Sequence, residues 1–334
     1  MGIDLIKHVL GAAAACLWLT AAAQTAAPAP NPPATRVVTL GTQGGPLPSR
    51  NRAQPANAVV VNGAIYLVDA GNGVLRQLTL AGLDYRRVSQ IFITHNHDDH
   101  NADWGTLMGV QWSTGRRAPV QVFGPAGTED MLQGFLRYFE PNARIRSADA
   151  KMAEAPRNLF RAKDVQPGGV VYQDANVKVS AAEVCHYHFR PDATGVTNDK
   201  ALAFRFETAD KVIVFSGDTG ACGEALVAFA KGADILVHEV VSLPLVEASL
   251  RAFMASQPGA RPPPGLLEEL MRHMADDHTV PEDIGRLAAA AGVKKVVLSH
   301  FVPGRDDDPD SAYVDGVKKH FSGPVIAARD LMEF

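Results

Sequence analysis

Cysteine is scarce, with three in 334 residues. That is too few for the disulfide framework of a small secreted scaffold. Charge of one sign is missing as well: 32 Lys and Arg stand against 36 Asp and Glu, for a net −4. A surface that holds a polyanion needs a basic excess, so no nucleic acid is expected as the main partner. Long apolar runs are nearly absent. The one candidate, Val9 to Ala22, follows Lys7 and His8, ends in small residues at Ala21-Ala22-Ala23 and is shorter than the ~20 residues of a membrane span. Residues 1–23 therefore read as an export signal, residues 24–36 as a proline- and alanine-rich spacer, and residues 37–334 as the folded domain. This places the mature chain in the periplasm or outside the cell, with no membrane span after signal removal. Cys185 and Cys222 remain after cleavage and read as separate buried thiols, although export would permit a bridge between them.

What is present is an alternation of short apolar strands with amphipathic helices, an α/β pattern. Val37–Leu40 opens it. Ala58–Val61 and Ala64–Val68 flank Asn62-Gly63, a two-residue hairpin signal. Leu202–Phe206 and Lys211–Phe215 pair through a second turn. Helices are predicted over 74–81, 101–112, 128–139, 225–231 and 310–320, and Thr279 with Glu282 reads as a capping-box start to a helix ending at Ala291. Residues 142–169 lack periodicity and read as a loop with one short helix. Residues 243–275 hold two helical pieces split by Arg261 to Gly265, an insertion over one side of a pocket.

The chemistry concentrates where apolar strands stop. Ile91-Phe92-Ile93 delivers His95, His97, Asp98, Asp99 and His100 within a few residues. Unpartnered, so many buried imidazoles and carboxylates would cost several kcal/mol, and their spacing suits metal ligation from an extended segment turning into a helix. Other strands end at His186, Asp218, Glu239 and His300. Strand ends at one rim of a sheet converge, so these residues form one expected site. A donor set of nitrogen and oxygen suits Zn²⁺, with Mn²⁺ or Fe as substitutes. His238, His273 and His320 read as structural or solvent-facing.

The run His95-Asn96-His97-Asp98-Asp99-His100 matches the HxHxDH motif of the metallo-β-lactamase fold, and Ser216-Gly217-Asp218-Thr219 and Leu298-Ser299-His300 resemble its later metal motifs in order. The resemblance implies a four-layer αββα sandwich holding two Zn²⁺ ions, and dimers are common in that fold. Carried over, His95, His97 and His186 hold one ion, Asp99, His100 and His300 the other, and Asp218 bridges them; His188 is the alternative to His186. Two such ions bring the pKa of a shared water toward ~7, giving a metal-bridging hydroxide oriented by Asp99. Within the fold the chain resembles the ribonuclease Z and arylsulfatase-like branch, where a Glu and a later His assist the leaving oxygen; here these are Glu239 and His278. The extended glycine-rich arm of tRNA-processing relatives has no counterpart between His186 and Asp218. The implied function is hydrolysis of a small anionic ester, an aryl sulfate or phosphodiester. The alternatives are β-lactam or lactone hydrolysis, a ribonuclease Z-type phosphodiesterase, and a di-iron redox protein, the last weakened because no flavin-binding domain follows the fold.

Overall fold

The computed structural model describes residues 35–150, 152, 154–189, 192–196, 198–221, 223–256 and 263–334, so the expected export signal and nearly all of the expected spacer lie outside the described residues. The first strand, β1 (Thr35–Gly41), begins two residues earlier than the sequence pattern placed it. Strands β2 (Ala56–Val61) and β3 (Ala64–Val68) meet at Asn62-Gly63, whose φ values of 50° and 78° are those a primed hairpin turn demands. Strands β4 (Val88–Phe92), β5 (Val120–Gly124) and β6 (Phe160–Asp164) follow in parallel register. The second sheet repeats the plan. Antiparallel β7 (Gly169–Gln173), β8 (Lys178–Val184), β9 (Ala201–Glu207) and β10 (Val212–Phe215) lead into parallel β11 (Ile235–Val241), β12 (Val296–Val302) and β13 (Val325–Ala327). A last short strand, β14 (Met332–Glu333), returns to pair with β1. The sheet orders are β14-β1-β2-β3-β4-β5-β6 and β13-β12-β11-β10-β9-β8-β7.

Alternation along each strand divides its side chains between two cores. Phe92 and Phe123 face the other sheet and meet Phe204, Phe206 and Phe215 there; the Phe92 ring lies 5.5 Å from Phe204 and 5.2 Å from Phe206. Ile91 and Val122 face outward and pack under helices α1 (Val74–Leu80), α3 (Trp104–Ser113) and α4 (Thr128–Asp149), beyond the short α2 (Asp98–Asn101). Val214, Leu236 and Leu298 of the second sheet pack under α9 (Pro281–Ala291) and α10 (Ser311–Lys318). Because both faces of the central parallel strands are covered, β11 and β12 are buried along their whole length. The result is the expected αββα sandwich. Each fully buried Val, Leu or Phe contributes about 1.5–3 kcal/mol to it.

Three local expectations fail. Helix α4 continues past Phe139 to Asp149, and its distal half is almost wholly exposed, so it carries no apolar stripe to read. The segment after it holds α5 (Pro156–Leu159) and the edge strand β6, whose Arg161 and Lys163 disguise it. Helix α9 starts at Pro281 with Val280 at its N-cap, a start that proline at N1 favours. Thr279 caps nothing: its hydroxyl donates to the Thr219 carbonyl and its N–H to Glu239 Oε1. The predicted insertion is two helices, α7 (Leu243–Ala255) and α8 (Leu266–Asp277), with α6 (Glu224–Ala230) before it.

Candidate metal centre

The C-terminal ends of β4, β10, β11 and β12 open on one rim between the two sheets. Beyond β4, His95 enters the interior while His97 stays on the open side and begins α2, which turns Asp99 and His100 inward. Asp218 arrives from the loop after β10. His300 sits in β12 at φ 46°, beside a register slip in which His238 pairs with Leu298 but Val240 pairs with Phe301. That bulge turns the His300 ring into the rim, at the cost of a backbone conformation an ordinary residue avoids.

Two sets of donor atoms converge. His97 Nδ1 lies 3.0 Å from His95 Nε2 and 3.1 Å from His186 Nε2. His300 Nε2 lies 3.0 Å from Asp218 Oδ2 and 3.4 Å from Asp99 Oδ2, and His100 Nε2 lies 3.3 Å from Asp218 Oδ1. Asp218 Oδ2 is 3.9 Å from both His95 Nε2 and His186 Nε2, so this one carboxylate spans the two sets. Within each of the trios His95/His97/His186 and Asp99/His100/His300 the ligand atoms all lie within 4.8 Å of one another. His188 is not in the cluster. It follows β8 on the exposed side and pairs with Asp277, so His186 and not His188 lies with His95 and His97.

The donor set fits a metal on its own terms. His100 Nε2, His300 Nε2 and Asp218 Oδ1 are buried close to one another but not aligned for hydrogen bonds, an arrangement that costs free energy unless a cation completes it. The far ring nitrogens are committed elsewhere. His186 Nδ1 donates to the Asp277 carbonyl at 2.9 Å and His100 Nδ1 to Asp69 Oδ2 at 2.9 Å, which leaves both Nε2 lone pairs facing the centre. Asp69 is held at φ 62° and also accepts from the Thr94 backbone and hydroxyl. Gly45 donates its N–H to Asp99 Oδ2 at 2.9 Å, and a Cβ there would fall 2.1 Å from that carboxyl group. Neither Asp69 nor Gly45 carried a motif; the only sequence signal was the turn-rich loop in which each sits.

Electrostatics split the cluster in the same place. Burial pushes His95 well below the usual histidine range and His186 down to about 4, so that set is neutral. Burial also opposes charge on His100 and His300, but the carboxylates of Asp218 and Asp99 outweigh it, raising His100 well above its usual value and His300 to about 10. In the metal-free protein the carboxylates therefore favour the protonated form of both rings. Ligation requires them neutral, so metal loading at pH 7 should release about two protons, and affinity should rise with pH. Calorimetric titration with Zn²⁺ in buffers of different ionisation enthalpy measures this; no proton release would overturn the protonated starting state of His100 and His300.

Beside the second set, Glu239 Oε2 faces His278 Nδ1 at 3.3 Å, while Oε1 accepts from the backbone of Thr279 at 2.8 Å and of Thr219 at 3.3 Å. His238 points the other way and is fully buried, donating from Nδ1 to the Glu239 carbonyl at 2.7 Å. His273 is half-exposed as expected, yet it is engaged by Asp277. Cys185 departs from its expectation: it is exposed and disulfide-bonded rather than a buried thiol, and Cys222 lies outside the described residues.

A two-sheet sandwich carrying histidine and aspartate ligands on one rim defines a metal-dependent hydrolase of the metallo-β-lactamase fold. The model of the beta-lactamase superfamily domain matches residues 65–301, from β3 through His300, and the chain belongs to that superfamily. It is 33% identical over 269 residues to a ribonuclease Z of Mycobacterium sp. (strain KMS), covering 80% of this chain and 84% of the relative. Among solved structures it is similar to a metallo-beta-lactamase fold protein of Bacillus subtilis, at TM-score 0.63 and 18% identity over 90% of this chain and 98% of that one. The human short-form tRNase Z superposes at TM-score 0.60 with 19% identity over the same shares.

Proposed function

We propose that this hydrolase is a phosphodiesterase of the ribonuclease Z type, an assignment carried by one observation: two metal-capable sets share Asp218, and the Glu239–His278 pair lies against them. In this reading His95, His97 and His186 hold one ion, Asp99, His100 and His300 the other, and Asp218 both. When bound, the ions supply Lewis acidity toward the ester and make a water acidic enough to attack at neutral pH. The protein's own groups do the rest. Asp99, fixed by the Gly45 N–H, orients the nucleophile, and His278, fixed by Glu239, gives its proton to the leaving oxygen. Tyr187 borders His97 with ring centroids 5.4 Å apart and stacks on the exposed Phe189 at 5.1 Å, a flat wall for an aryl group or a base.

The relatives' names favour a phosphodiester over the aryl sulfate that the sequence suggested, and RNA enters as a candidate substrate despite the mildly acidic balance of the chain. The test is the turnover of zinc-loaded protein on a matched aryl phosphodiester and aryl sulfate, and on a 3′-extended RNA. The phosphodiester should be cleaved at least about tenfold faster than the sulfate, a difference of about 1.4 kcal/mol in barrier. A faster sulfate would return the sulfate-ester reading, and turnover of neither ester nor RNA would sink this substrate class.

A further inference from the structure

Asp277 ends α8 and lies at the rim of the centre, with its carboxylate only 6% exposed although both of its side-chain partners are half-exposed. One carboxylate oxygen pairs with His188 Nδ1, the other with His273 Nδ1 from the preceding turn of the same helix. His188 belongs to the loop that carries His186, so the carboxylate ties α8 to the ligand loop. The Asp277 carbonyl then takes the Nδ1–H of His186 at 2.9 Å. A carbonyl on Nδ1 fixes the tautomer whose lone pair is at Nε2, the atom that faces His97 and Asp218. The next residue is His278.

The geometry points to Asp277 as a positioning residue for His186: bracketed by His188 and His273, it pins the end of the helical insertion so that its carbonyl orients the third histidine of one metal set and leaves the other set untouched. This rests on the two-ion reading of the site. Among the described residues the bonds of Asp277 run to His186, His188 and His273 and not to Asp99, His100 or His300, so the effect falls on the His186 set.

The test is stepwise Zn²⁺ binding to chelator-stripped, otherwise intact protein in competition with a chromophoric chelator. Two reference variants label the steps: His186→Ala should weaken one and His300→Ala the other. Asp277→Ala should weaken the His186 step by about 10–100-fold, the usual cost of losing a partner that orients a ligand, and leave the His300 step unchanged. Asp277→Asn, which can still bond both rings, should restore most of the loss. Unchanged binding in Asp277→Ala, or equal weakening of both steps, would overturn the inference. If Asp277→Ala does not fold, His273→Gln decides, because it removes one bracket at an exposed position: a smaller loss confined to the His186 step supports the inference, and no loss overturns it. Failure of the wild type to bind two equivalents would instead defeat the metal reading.

Discussion

Alanine at Asp218 should empty both metal positions together and lower turnover by at least about 10³-fold, a barrier increase of about 4 kcal/mol. Its two oxygens lie 3.0 Å from His300, 3.3 Å from His100 and 3.9 Å from His95 and His186, so this carboxylate lies within reach of both sets. Removing it also strands two imidazoles, His100 and His300, whose rings stack at 5.1 Å, without the carboxylate that offsets their charge. Alanine at His95 or His186 is different in kind, since each belongs to one set and should release one ion. Metal content per chain after dialysis, measured beside turnover, separates the cases. Asp218→Ala retaining one tightly held ion would show that it does not bridge.

The site was legible because its ligands follow short apolar strands, and burial makes such strands the clearest feature of a sequence. Ile91–Ile93 and Val212–Phe215 stop where His95 and Asp218 begin, and the rim follows from that. What surrounds the ligands was legible only in part. The turn-rich run Asp69 to Gly73 after β3 reads as a loop beside the metal loop, but only the parallel pairing of β3 with β4 shows that the Asp69 carboxylate holds His100. Asp277 lies just beyond the predicted insertion and carried no signal of its own, since a helix end reveals its neighbour only once the chain is folded. Thr279 shows the opposite error. Its spacing to Glu282 satisfied a local rule, but a buried Glu239 needed its N–H more, and the helix began at Pro281 instead. Distal α4 was missed because a helix half in solvent has no apolar period.

Alanine at His278 should lower kcat by about 10²–10⁴-fold while both ions remain bound. The ring can do two things here, because its free nitrogen lies close enough to His186 and Asp218 to join them as a ligand, and to the open centre to act as an acid. Glu239 decides between the roles. Burial disfavours charge on His278, but the carboxylate at 3.3 Å, with Asp218 behind it, overcomes that and raises its pKa above the ordinary histidine value. A shift in that direction favours the protonated ring, and a protonated ring donates rather than ligates. Activity that needs this proton is present below the raised pKa and is lost as pH rises through it. Glu239→Gln removes the main raising charge, so the basic limb of the pH–rate profile should move to lower pH, with the acidic limb unchanged. The leaving group supplies the second control: with an acidic phenol, which departs without help, the His278→Ala defect should shrink toward unity. A defect independent of the leaving group and accompanied by loss of one ion would make His278 a ligand, and Glu239 the carboxylate that orients it.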